Sequence, residues 1–288
     1  MNFKDCIDSY PFILMEGALG ERLKREFDLD ISGTVAMADL IYQQKGRMAL
    51  KTLWNEYMDI AHRYQLPFLA TTPTRRANKE RVYMAGYNES IITDNVDFLR
   101  TIKETANVNM YIGGLMGCKG DAYTSERALN QEEAIAFHSW QASLFKSVGV
   151  DFLYAGIMPV LSEAIGMAVA MSDTDIPYII SFTIQRNGKL IDGHTINDAI
   201  YYIDNHVSNK PVCYMTNCVH PDIVYEALSH KFNQTQMVKN RFWGIQANTS
   251  RLSYKELDGA KNLRTSSAVD LGKAILRLKS DYHLKIFG

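Results

Sequence analysis

Residues 211–218 read Pro-Val-Cys-Tyr-Met-Thr-Asn-Cys, and they end on a side chain that can do chemistry. An apolar, β-branched and aromatic run behind a proline predicts a strand. His220-Pro221 interrupts it, and a helical pattern starts near Asp222. A thiol at the carboxyl end of such a strand sits where parallel α/β proteins bind their ligands. Side chains alternate along a strand, so Cys218 shares a face with Thr216, Tyr214 and Val212, and Cys213 takes the other. This parity predicts Cys218 in the site and Cys213 packed against helices. A thiolate is a nucleophile and a metal ligand; a thiol in a packed interior is a small apolar side chain. Position alone leaves both open for Cys218.

The elements that would carry such a thiol are legible. Apolar runs at 12–17, 67–72, 109–116, 151–158, 177–184, 211–218, 242–249 and 284–288 alternate with longer amphipathic segments. One of these, 131–148, has Glu132 and Glu133 in its first turn and Gly149 behind it, the charge and stop pattern of a helix. Strand–helix alternation repeated eight times predicts an α/β fold of the (β/α)8 TIM-barrel type. The last run ends at Gly288 with no segment behind it, so the barrel is expected to lack its last helix in this chain. No Pro-, Gly- or Ser-rich stretch divides the chain, which reads as a single domain over 1–288.

Composition narrows the class of partner. The 31 basic and 32 acidic residues give a net charge of −1, which argues against duplex nucleic acid or a polybasic membrane surface. No apolar run reaches membrane-spanning length, and residues 1–16 lack the pattern of a signal peptide. The 4 cysteines do not make a disulfide framework in a chain of 288 residues, so a reducing cytoplasm is expected. Ligands should gather where the strands end: at Glu16-Gly17, Thr72 to Arg75, Gly114 to Cys118, Gly156 to Met158, Thr183, Asn217-Cys218 and Asn248-Thr249. Thr72 and Thr74 read as helix caps and Arg75-Arg76 as a solvated helix start. His62, His138 and His194 have no partner at ligand spacing and read as surface or satisfied core residues.

Several of these strand ends match known motifs. Glu16-Gly17-Ala18-Leu19-Gly20-Glu21-Arg22-Leu23, Thr72-Pro73-Thr74, Ser181-Phe182-Thr183 with Gly188-Lys189-Leu190-Ile191-Asp192-Gly193, and Asn217-Cys218 follow one another in the order of the homocysteine S-methyltransferase family. The chain resembles that family from Phe12 to Gly288. The family holds zinc through the sixth-strand cysteine, here Cys218, and through a cysteine pair after the eighth strand. In this chain the approach to that pair is residues 285–288, so one of three ligands is present. The family's fourth strand ends Glu-Thr-x-Pro, with a glutamate that holds the homocysteine amino group; here the residues are Gly156-Ile157-Met158-Pro159, and Glu16 replaces the family's aspartate.

The resemblance implies a zinc-dependent S-methyltransferase that moves a methyl group from a small donor to the thiol of homocysteine or a similar thiol, on the route to methionine. The alternative is a metal-free, non-catalytic small-molecule-binding barrel derived from the family. On the first reading Glu16 holds the substrate ammonium, and Thr72 with the backbone near Gly17 holds its carboxylate. Gly156 lies where the family glutamate would be, Asn217 fixes the strand end or the substrate, and Tyr123 either shields an onium donor or anchors its loop. Cys118 lies near the rim without a second sulfur beside it, and Cys6 is expected at the opposite end. The implied partners are the thiol and a methyl donor; a homo-oligomer remains open, and no nucleic acid or membrane is implied.

Overall fold

The structure, a computed structural model, describes residues 1–257, 262 and 264–288. Each of the apolar runs becomes a strand: β1 Ile13–Met15, β2 Phe68–Thr71, β3 Met110–Gly117, β4 Phe152–Met158, β5 Tyr178–Phe182, β6 Cys213–Val219, β7 Phe242–Ala247 and β8 Ile286–Phe287. They pair in parallel in chain order, and β8 closes onto β1, giving a (β/α)8 barrel. The helix over Gln131–Val148 starts with an Asn130–Glu133 capping box and stops at Gly149, whose φ of 78° is left-handed. Behind β6 a helix over Pro221–Ser229 begins with Pro221 in its first turn and His220 as its cap. The sequence order of the elements ends with β8, preceded by a helix over Ala268–Tyr282.

Alternation along the strands sorts the core into two parts. One faces the barrel axis and includes Ile13, Met15, Leu69, Tyr111, Phe152, Tyr154, Ile179, Met215 and Ile286. The other lies between the sheet and the helices and includes Phe68, Ala70, Leu153, Ile180, Tyr214 and Ile245. A short helix over Phe3–Ser9 packs Phe3, Cys6 and Ile7 against the axial group where the strands begin. Phe3 stacks on Phe152 at 4.4 Å. The barrel is thereby closed at its amino-terminal end, with Cys6 at that end, and the strands' carboxyl ends form the mouth.

Cys213 corrects the parity argument. It lies in the axial group, fully buried with Met215 and Cys6, and not against the helices. Tyr214 takes the outer face instead, with its hydroxyl donating to Asp204 at 2.8 Å. The axial face of β6 is therefore Cys213, Met215 and Asn217. Regular alternation would send Cys218 outward, and the backbone breaks that alternation at Cys218 itself.

Candidate functional site: the barrel mouth around Cys218

Cys218 has a φ of 56°, in the left-handed region, and the β6–β7 register shifts between Asn217 and Val219. A bulge of this kind re-aims a side chain at the end of a strand. Left-handed backbone costs a non-glycine residue about 1–3 kcal/mol. The result is an exposed residue at the mouth whose thiol packs close to the Tyr123 hydroxyl, within electrostatic reach of Arg75. Protein crowded around the sulfur desolvates it and raises its pKa, while the Tyr123 hydroxyl and the Arg75 charge offset part of that rise. The other thiols are less available. Burial pushes Cys118 and Cys213 up to about 12, and it also raises Cys6.

A second left-handed residue faces the first. Ile157, at φ 59°, lies where the β4–β5 register shifts, and such a conformation is an outlier for a β-branched side chain. Its N–H donates to Asn217 Oδ1 at 3.2 Å, and the Ser181 hydroxyl donates to the same oxygen. Asn217 Nδ2 donates to Tyr154 Oη at 2.7 Å and to Gln246 Oε1. Tyr154 Oη donates to Gln246 Oε1 at 2.9 Å, and Gln246 Nε2 donates to the Glu16 carbonyl at 2.9 Å. This buried network ties β4, β5, β6 and β7 to the end of β1 and forms the floor of the mouth. Its members satisfy one another, which is the condition for a polar cluster inside a barrel. Sequence reading found Asn217 but missed Ser181, Tyr154 and Gln246 as its partners; the axial parity of β4 and β7 was the signal that points to the latter two.

Loops cover the mouth. Tyr123 stacks on Tyr254 at 4.7 Å, joining the loop after β3 to the loop after β7. Thr183 Oγ1 donates to the Ala122 carbonyl at 2.8 Å. The fully buried Glu163 carboxylate accepts the Lys119 N–H at 2.7 Å, the Leu129 N–H at 3.4 Å and the His138 ring nitrogen at 3.1 Å. His138 is thus a satisfied core residue, and burial lowers its pKa despite the Glu163 contact. His220 Nδ1 accepts the Asp222 N–H at 3.1 Å, which leaves Nε2 as the protonated nitrogen facing Ser266 Oγ at 3.3 Å. That tautomer caps a helix and fastens the loop; it does not take a proton from the serine.

The remaining expected residues have other occupations. Glu16 is buried, and its oxygens accept the Thr71 N–H at 2.9 Å, the Trp54 indole at 2.7 Å and the Thr71 hydroxyl. Burial raises this carboxyl to about 7, and the same hydrogen bonds pull the other way. The ammonium-holding role expected for Glu16 therefore meets a carboxylate already taken by protein donors. Thr72 Oγ1 accepts the Leu115 N–H at 3.1 Å and lies 2.7 Å from Thr74 Oγ1, which donates to the Leu115 carbonyl at 2.8 Å. These threonines stitch β2 to β3 and do not cap the next helix, whose cap is Asn78. Gly17 is half-buried beside the Tyr57 hydroxyl. Gly156 faces the mouth beside Leu115, with no acidic group at that position.

Zinc of the implied kind wants three protein ligands and one open position. Among the described residues no group of three His, Cys, Asp or Glu side chains is placed to hold a metal ion. Cys218 is one thiol at the mouth, and Cys118 Sγ is turned to the Gly120 carbonyl at 3.6 Å. The described residues therefore do not fit a catalytic zinc: they offer one firm sulfur where three ligands are needed.

A closed parallel barrel whose mouth holds an exposed cysteine on a bulged strand end defines a class: a (β/α)8 barrel with its ligand site at the carboxyl ends of the strands. The homocysteine S-methyltransferase family model matches residues 13–273, and the chain belongs to that family. It is 21% identical over 217 residues to the homocysteine S-methyltransferase YbgG of Bacillus subtilis (strain 168), covering 69% of this chain and 67% of that protein. The metallated form of the homocysteine methyltransferase MmuM from Escherichia coli superposes with a TM-score of 0.74 at 17% identity, over 98% of this chain and 92% of that one. Its apo form gives 0.63 at 16% identity, over 98% and 91%.

Proposed function

We propose that this chain is a thiol S-methyltransferase that takes homocysteine or a close relative as acceptor and forms methionine or its analogue. Family membership carries the reaction class. The single observation that supports the barrel mouth as its location is the left-handed backbone at Cys218, which brings a thiol into the mouth at a conformational cost. In such a reaction the acceptor sulfur attacks a methyl carbon in line with the leaving group, so sulfur, methyl and donor must be collinear. The Asn217 network holds the strand ends rigidly below, and the Tyr123–Tyr254 stack covers the mouth from above. An onium donor suits aromatic faces of this kind. Cys218 is assigned as the family's sixth-strand ligand should zinc be bound, and Asn217 as the residue that fixes its strand end. We read the chain as a single barrel domain over 1–288, in a reducing compartment such as the cytoplasm, where its free cysteines would persist. No described helix is long and apolar enough to cross a membrane.

A second reading, a binding barrel without catalysis, is supported by the Glu16 carboxylate, which Trp54 and Thr71 occupy. One assay separates the two. Purified protein is incubated with homocysteine and a sulfonium, a quaternary ammonium or a methylated tertiary amine donor, and methionine is followed by mass spectrometry together with metal content. Methionine formation that is lost in Cys218→Ala supports the transferase. Homocysteine binding with no methionine from any donor class favours the binding barrel.

A further inference from the structure

We propose that Arg75 binds the carboxylate of the thiol acceptor and thereby sets the position of its sulfur at Cys218; this rests on the acceptor reading above. Arg75 follows β2 and its stem lies across Gly117, where an added Cβ would meet Arg75 Cγ at 2.6 Å and Cδ at 3.5 Å. Gly117 pairs in register with Gly156 across β3 and β4. Both are on the axial face, two steps along from Leu115 and Tyr154, so two neighbouring inward positions carry no side chain. Arg75 fills the space left at Gly117, while Leu115 leans over Gly156, where an added Cβ would meet its Cδ1 at 2.8 Å. Its charge then reaches Cys218 and Tyr123 at once.

Among the described residues the guanidinium has no partner of its own. The other half-buried arginines each have one: Arg22 and Arg241 pair with Glu26 and Asp204, Arg100 with Asp97 and the Val148 carbonyl, and Arg81 with the Thr34 carbonyl. Among the described residues Arg75 makes neither an ion pair nor a hydrogen bond through its guanidinium. The acid in the adjoining loop, Asp121, is exposed and accepts the Tyr123 N–H at 2.7 Å. A half-buried guanidinium without an anion is a ready carboxylate site, because its planar fork matches two carboxylate oxygens. The anion belongs to the acceptor and not to the donor. An amino-acid thiol brings its carboxylate within a short chain of its sulfur, which is the span between Cys218 and a cation that acts on it. Arg76, its sequence neighbour, is exposed. One member of the pair read as a solvated helix start thus turns into the mouth.

The test is calorimetric titration of the wild type, Arg75→Gln and Arg75→Lys with three thiols. These are homocysteine, 4-mercaptobutyrate, which lacks the amine, and 3-aminopropane-1-thiol, which lacks the carboxylate. Arg75→Gln should weaken both carboxylate thiols by roughly 10- to 100-fold, as for loss of a charge-assisted hydrogen-bonded pair, and leave the aminothiol unchanged. Arg75→Lys should recover part of the loss, and both variants should melt near the wild type. Unchanged homocysteine affinity in Arg75→Gln, or equal weakening of the aminothiol, overturns the assignment. So does a shift confined to the donor's KM, which would give the anion to the donor. A wild type that binds none of the thiols refutes the acceptor reading itself; one that binds homocysteine and the aminothiol equally well removes the carboxylate contact alone.

Discussion

Replacing Glu16 by glutamine should change how stability depends on pH, by an amount that follows from the site. The folded protein holds this carboxyl at about 7, against an ordinary value of 4.5, because burial outweighs the three donors around it. A carboxyl raised in the folded state keeps its proton longer than the unfolded chain does. Its contribution is fully present below about pH 4.5 and is lost as pH rises through about 7. The difference between the two values corresponds to about 3 kcal/mol. Glu16→Gln has no proton to hold, so this contribution does not vary with pH in the variant. The variant also sets an amide N–H against the Trp54 or Thr71 donors, which costs about 1–2 kcal/mol at every pH. Urea unfolding followed by circular dichroism, on both proteins between about pH 5 and about pH 8, isolates the linkage in the difference of the two curves. His138 and His220 titrate in both proteins and cancel. The variant should be the less stable at the acid end and should gain on the wild type by about 2–3 kcal/mol towards the alkaline end. A difference that stays flat across that range would refute the account of Glu16 as a buried, proton-holding group.

Two further outcomes follow from the mouth and its floor. Iodoacetamide should alkylate Cys218 well ahead of the other thiols, because Cys6 and Cys213 are buried and Cys118 is pushed up to about 12; peptide mapping gives the order, and prior labelling of Cys118 would contradict it. Tyr154→Phe removes a hydroxyl that bonds Asn217 at 2.7 Å and Gln246 at 2.9 Å while those two keep each other, so the loss should be about 1–2 kcal/mol, or roughly 2–3 °C in Tm by calorimetry.

The barrel was legible because each strand is a short apolar run followed by an amphipathic segment, and the two periods differ too much to be confused. The helix over Gln131–Val148 carried its own start and stop signals. What failed was local. Parity along β6 assumes unbroken pleating, and the left-handed residue at Cys218 reverses the facing of the last position while Cys213 keeps the axial one. Thr72 and Thr74 were read as caps because sequence cannot tell a strand-end hydroxyl that bonds the next strand from one that bonds the next helix. Arg75 and Arg76 look alike as letters; the glycine at 117, distant in sequence, decides which of them enters the mouth. The hydrogen bonds of Glu16 to Trp54 and Thr71 were not legible, because those partners lie tens of residues away in sequence.

The most direct test of the acceptor site is protection of Cys218 by its proposed ligand. The rate of Cys218 alkylation is measured by mass spectrometry at increasing homocysteine, relative to matched concentrations of 2-mercaptoethanol that correct for reagent consumed by free thiol, with methionine as the product control and alanine as a non-binding amino acid. If the acceptor seats in the mouth, homocysteine slows the reaction in a saturable way and alanine does not. An alkylation rate at Cys218 that homocysteine leaves unchanged would contradict a thiol-acceptor site at the mouth.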